Sequence, residues 1–209
     1  MESIDMFIVL EGPDGSGKTT LAQALTESLC HLGLQVLYTF EPTTSSEYGN
    51  DIRKILKAEQ TCDPAYISDL LTADRGYHLE TVILPALADG KWIVCDRYKY
   101  SALAYQQMQG IDAQYLIESN RKYLVPDVTF ILQPQKLSTL LDRIVRRNEE
   151  REYFEKKHFL EGVLEFYSRM MEYFPEENIH FLDAELPIPN LTQKITEYLY
   201  DDGFLNSRE

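Results

Sequence analysis

Residues Gly12 to Thr19 read GPDGSGKT, which fills every fixed position of the pattern G-x-x-x-x-G-K-[ST], and that spacing serves one chemistry, the holding of a phosphate chain. Gly12, Gly15 and Gly17 let the backbone curl so that successive N–H groups face phosphate oxygens, with Pro13, Asp14 and Ser16 between them. Lys18 is long enough to reach the β and γ phosphates. The hydroxyl of Thr19, followed by Thr20, is a candidate ligand for Mg²⁺. A helix opening near Lys18 would add the positive end of its dipole. These residues are expected to bind a nucleoside triphosphate, ATP, together with Mg²⁺.

Such a loop works only between a strand and a helix, and the flanking sequence supplies both. Met6 to Leu10 (MFIVL) is a short apolar run that predicts a buried strand. From Lys18 to Leu32 the apolar residues recur at helical spacing until Gly33, and Gln35 to Thr39 predicts a second strand. The alternation continues with helices over Ser46–Lys57 and Pro64–Asp89, then a strand at Trp92–Cys95. Helices follow over Ser101–Gln109 and Asp112–Tyr123, then a strand at Val128–Leu132. The remaining expectations are helices at Lys136–Arg147, Phe159–Tyr173 and Leu191–Tyr200, with a fifth strand at Ile179–Leu182. Five strands alternating with helices imply a doubly wound α/β fold with a parallel sheet covered on both faces. Without a repeat, a low-complexity stretch or a Pro/Gly/Ser linker, residues 1–209 are expected to form a single domain.

Composition narrows the function. The formal net charge of −14, from 20 Lys and Arg against 34 Asp and Glu, opposes broad binding of nucleic acid or of an anionic membrane. No apolar run reaches the length of a membrane helix, and Glu2 and Asp5 stand where a signal peptide would carry positive charge, so a cytoplasmic protein is expected. Cys30, Cys62 and Cys95 are too scattered for a metal or redox motif, and the four histidines fit neither a metal pattern nor a Ser/His/Asp triad. No D-x-x-G switch follows the phosphate loop and no N-K-x-D guanine motif occurs, which disfavours a GTPase. The third strand ends in Cys95-Asp96-Arg97-Tyr98 rather than in the paired acids of a motor ATPase. A small-molecule kinase is the leading reading. Asp96 can orient Mg²⁺ and Arg97 can offer its fork to an acceptor phosphate, the plainer alternative being a capping Asp beside a surface Arg.

The sequence resembles the thymidylate kinase family through most of its length. The matching pieces are FIVLEGPDGSGKTT from Phe7, EPTT from Glu41 with Ile52-Arg53 beyond it, TADR ending at Arg75, DRYKYSALAYQ from Asp96, and VPDVTFIL from Val125. The resemblance implies a five-stranded P-loop kinase, usually a homodimer, that moves the γ-phosphoryl group of ATP to dTMP. It also implies that Asp14 contacts the sugar 3′-hydroxyl, that Arg75 reaches the acceptor's base or phosphate, and that Tyr105 lies under the deoxyribose. Ser101 and Gln106 are candidates for base contacts, and Glu41, Pro42, Arg53, Leu71 and Arg97 complete the acceptor set. Three positions depart from the family pattern: Phe40 replaces an arginine, Leu71 the aromatic that stacks on thymine, and Tyr153 a lid arginine.

Between Lys136 and Lys157 seven Lys/Arg stand against five Asp/Glu, a local exception to the acidic balance. A lid at about residues 143–157 would use this charge, with Arg143, Arg146, Arg147 and Arg151 closing over ATP, and Glu155 matches the family's lid glutamate by spacing. Arg147 and Arg151 are expected to act with Lys18, Asp96 and Arg97 in catalysis. The alternatives to a dTMP kinase are a kinase for another deoxynucleoside monophosphate, a deoxynucleoside kinase with Glu41 as base, or a regulator that binds nucleotide without turnover.

Overall fold

Parallel strands need crossover connections, and a chain of alternating strands and helices has them built in. The computed structural model describes residues 5–57, 62–145 and 153–205. Its strands are β1 (Met6–Glu11), β2 (Val36–Phe40), β3 (Trp92–Asp96), β4 (Val128–Gln133) and β5 (Ile179–Asp183). They pair in parallel throughout, in the order β2-β3-β1-β4-β5. The helices are α1 (Lys18–His31), α2 (Glu47–Leu56), α3 (Pro64–His78), α4 (Leu84–Ala88), α5 (Lys99–Gln107) and α6 (Ala113–Asn120). After β4 come α7 (Leu137–Val145), α8 (Tyr153–Ser168) and α9 (Met170–Tyr173), and α10 (Ile188–Asp201) follows β5.

Successive strand residues point to opposite faces, so an all-apolar strand must be covered on both. Ile8 and Leu10 of β1 pack with Val94 and Phe130 under Leu21 and Leu25 of α1 and Leu191 and Ile195 of α10. Phe7 and Val9 face the other way, with Ile93 and Ile131, onto Leu79, Leu103 and Val163. β1 thus lies at the middle of the sheet and of the core, and it ends at the phosphate loop.

Three elements differ from the sequence expectation. Pro64–Asp89 is not one regular helix: α3 passes into a π-helical turn, Leu79–Ile83, before α4. Pro85 explains the wider turn, because it lacks an N–H and its ring crowds the carbonyl four residues earlier. The helix expected at Phe159–Tyr173 starts already at Tyr153 and breaks at Arg169, where Ser168 Oγ donates to Glu165 O at 2.7 Å and competes with the backbone ladder. α5 starts two residues before the expected Ser101, and its cap comes from a distant strand: Glu11 accepts the N–H groups of Tyr98 and Ser101.

Candidate active site

The phosphate loop leaves β1 through Gly12, whose φ of +137° and position against β4 both demand glycine: a Cβ there would lie 2.5 Å from Leu132 O. Gly17, at φ +98°, precedes the first residue of α1, so the first turn's N–H groups open toward the loop. Lys18 folds back, its Nζ donating to Pro13 O at 2.7 Å, and is 5% exposed. Burial, reinforced by the Arg97 charge, lowers the Lys18 pKa to about 7. Asp14 through Thr20 line a cleft of about 560 Å³ with Arg97 and the apolar side chains of Ala184, Leu186 and Ile188.

The end of β3 meets this loop side by side, as the pairing of Leu10 with Asp96 requires. Thr19 Oγ1 donates to Asp96 Oδ2 at 2.5 Å. Asp96 Oδ1 is buried and has no hydrogen-bond partner among the described residues. An orphaned carboxylate oxygen beside a threonine hydroxyl suits a hard cation, so this pair fits the Mg²⁺ that accompanies ATP. Arg97 follows in the left-handed region, at φ +74°, a conformation that costs a non-glycine residue about 1 kcal/mol or more. Its N–H donates to Leu10 O (2.9 Å), while Nη2 pairs with Asp14 Oδ1 and Nη1 donates to Ser101 Oγ (2.9 Å). The guanidinium carbon sits 5.3 Å from the centroid of Tyr105, and Tyr105 Oη accepts from Asp14 N at 2.9 Å. Lys18, Asp14, Arg97, Ser101 and Tyr105 therefore form one contiguous set.

The remaining acceptor candidates are arranged differently from one another. Arg75 is 1% exposed and turned inward: Nε and Nη2 lie 3.0 and 2.8 Å from Glu41 Oε2, and Nη1 donates to Asn120 Oδ1. His78 Nδ1 lies 3.2 Å from Glu41 Oε1, and its Nε2 lies 2.6 Å from Thr39 Oγ1. Both oxygens of Glu41 are thus engaged, which leaves the deoxynucleoside-kinase alternative without a free base at this position. Glu41 and Pro42 are joined by a cis peptide bond. Arg53 Nη1 donates to Thr43 O and Nη2 to Asn50 Oδ1 (2.6 Å). Ser101, expected at the base, gives its hydroxyl to Glu11 and receives Arg97. Gln106 is 4% exposed, with Oε1 buried and unpartnered among the described residues, whereas Leu71 is half-buried on α3. Arg146, Arg147 and Arg151 lie outside the described residues, and so do the side chains of Arg143 and Glu155.

Two supporting carboxylates were not singled out from the sequence. Glu11 is fully buried at the end of β1. Asp74, 1% exposed, accepts Thr43 N (2.8 Å), Thr43 Oγ1 (2.7 Å) and Ser46 Oγ, pinning the Glu41–Ser46 loop to α3. Gly49 permits that contact, since a Cβ would fall 2.0 Å from Thr43 O. The signal for both acids was position: Glu11 closes an otherwise apolar strand, and Asp74 precedes Arg75 on a buried helix face.

A glycine-rich loop between the middle strand and α1, with an acid–arginine pair on the neighbouring strand, defines an α/β nucleotide-binding protein of the P-loop kinase class. Within that class the chain belongs to the thymidylate kinase family, whose model matches residues 10–195. It is 36% identical over 199 residues to the thymidylate kinase of Brachyspira hyodysenteriae, a match covering 95% of each chain. With the probable thymidylate kinase of Pyrococcus horikoshii it shares 44% identity over 179 residues, 83% of this chain and 86% of that one. The probable thymidylate kinase of Methanocaldococcus jannaschii is 35% identical over 205 residues, 97% of each.

Proposed function

We propose that this protein phosphorylates dTMP to dTDP with ATP by direct phosphoryl transfer. The observation that carries the reading is the meeting of Lys18 and Arg97 in the lining of one cleft of the family fold. A monophosphate acceptor already presents an anionic oxygen, so the reaction needs alignment and charge neutralisation and no strong base. That requirement agrees with a site rich in hydrogen-bond donors to phosphate whose nearby buried glutamates are both committed, Glu41 to an ion pair and Glu11 to the start of α5.

In this reading the loop amides and Lys18 hold the β and γ phosphates, and Arg97, with Asp14 at its other end, receives the acceptor phosphate. Thr19 and Asp96 would hold Mg²⁺, which would neutralise charge on the transferring phosphates. The ring of Tyr105 takes the deoxyribose, and the free Oε1 of Gln106 accepts a base N–H. Arg53 and Arg75 hold the acceptor pocket's walls through Thr43 and Glu41. Arg147 and Arg151 supply lid charge over ATP. A homodimer acting in the cytoplasm fits the family, and no described helix is long and apolar enough to cross a membrane.

The test is a coupled ADP-release assay offering dTMP, dUMP, dGMP, UMP and the free nucleosides with MgATP. The highest kcat/KM is expected for dTMP. Turnover of nucleosides alone, or ATP binding without turnover of any acceptor, would replace this function with one of its alternatives.

A further inference from the structure

Glu11 takes no direct part in the function proposed above, yet it is the most enclosed carboxylate near the site, with no solvent exposure. A buried carboxylate must be satisfied on both oxygens. Oε1 accepts the N–H groups of Tyr98 (2.7 Å) and Ser101 (3.0 Å), which makes it the cap of α5. Capping accounts for that oxygen alone. Oε2 accepts two hydroxyls, Ser101 Oγ at 2.7 Å and Tyr167 Oη, from α8, at 2.8 Å.

The second pair has a directional consequence. A serine hydroxyl carries one hydrogen and can turn it toward any acceptor. Here Glu11 takes that hydrogen, so Ser101 Oγ is left as a pure acceptor on its other side, where Arg97 Nη1 donates to it at 2.9 Å. Tyr167 Oη, 3.1 Å from Ser101 Oγ, gives its own hydrogen to the same carboxylate and does not compete for Arg97. Nη1 on Ser101 Oγ and Nη2 on Asp14 are two anchors that together set the guanidinium plane beside the cleft.

We propose that Glu11 is a positioning residue for Arg97, acting through the hydroxyl of Ser101, so that the acceptor-phosphate arginine is aligned before substrate arrives. Nη1 also donates to Gly12 O, but at 3.4 Å against 2.9 Å for Ser101 Oγ, so the serine hydroxyl is the closer anchor of that nitrogen. The inference rests on Arg97 receiving the acceptor phosphate.

The experiment is a double-mutant cycle read by dTMP affinity in calorimetry without ATP, alongside KM for dTMP and for ATP. Ser101→Ala keeps the backbone N–H that caps α5 and removes only the hydroxyl, so it tests the proposal even where Glu11→Gln fails to fold. Ser101→Ala is expected to weaken dTMP at least fivefold with ATP KM within twofold of wild type, and Ser101→Thr to restore most of the loss. In an Arg97→Ala background, adding Ser101→Ala should change dTMP affinity by less than twofold. Equal losses in both backgrounds, equal losses for ATP and dTMP, or wild-type affinity in Ser101→Ala would reduce Glu11 to a helix cap and overturn the proposal. A wild-type enzyme that prefers another monophosphate overturns the dTMP reading only, and the cycle is then run with that acceptor. An enzyme that binds no monophosphate overturns both.

Discussion

Arg75 and Glu41, 34 positions apart in the chain, meet as an ion pair with 2% and 5% of their side chains exposed, two guanidinium nitrogens sharing one carboxylate oxygen. The arginine is closed further by Asn120 and by the Tyr98 ring, 5.1 Å away. Removing one partner of such a pair leaves an uncompensated buried charge, which typically costs about 3–5 kcal/mol. Glu41→Gln is therefore expected to lower unfolding stability by that order in urea titration. A loss under about 1 kcal/mol would show that the pair is not the brace described.

Lys18→Ala should leave the fold intact and cut kcat by more than about a hundredfold, equivalent to roughly 2.7 kcal/mol at the transition state. Its ammonium contacts a loop carbonyl and no core side chain accounts for its placement, so thermal unfolding should move little. Activity within tenfold of wild type would remove Lys18 from the phosphate site.

The depressed pKa of Lys18, about 7 through burial and then Arg97, makes nucleotide binding a proton-linked event. At pH 8 the free enzyme's lysine is mostly neutral, whereas against bound phosphates it is an ammonium, so ATP binding should take up close to one proton. The same shift means that the unfolded chain, with lysine near 10.4, holds more protons than the native one above pH 7. Stability from this group therefore rises with pH between about 7 and 10.4, by at most about 1.4 kcal/mol per unit. Calorimetry of ATP binding in buffers of different ionisation enthalpy reads the uptake, and Lys18→Met should abolish it.

Acceptor choice should follow Tyr105 and Leu71. A 2′-hydroxyl pressed on the Tyr105 ring without a partner would cost about 1–3 kcal/mol, so UMP should be a poor substrate beside dUMP. Leu71 offers dispersion where an aromatic would stack, and Leu71→Phe is expected to lower the dTMP KM severalfold. Competition among dTMP, dUMP, dGMP and UMP decides the matter: preference for UMP would contradict the sugar contact, and preference for dGMP would move the enzyme to another acceptor.

The sequence made the strands and the phosphate loop readable because each rests on local information, a run such as WIVC or a spacing such as GPDGSGKT. What it concealed depends on contacts between distant segments. Nothing near Arg75 says that Glu41 will hold it inward, and nothing in DRYKYS says that α5 is capped by Glu11 across 87 positions. Ser101 looked like a base contact by its place in a motif, whereas its hydroxyl is committed to Glu11 and Arg97. Pro85 was visible, but the π-helical turn that absorbs it depends on the packing of Leu79 and Ile83 on the sheet. Residue types forecast the chemistry, and tertiary partners decided which atoms remain available for it.

The central place of β1 also sets the order in which the molecule lets go. It is paired on both edges, by β3 and β4, Phe7 N donates to Asp127 Oδ2 (2.6 Å), and its six residues are buried. Edge strands β2 and β5 can fray while this strand remains protected from exchange with solvent deuterium. The phosphate loop thus hangs from the region that opens last, and an enzyme that has begun to loosen at its rim would still keep its grip on nucleotide.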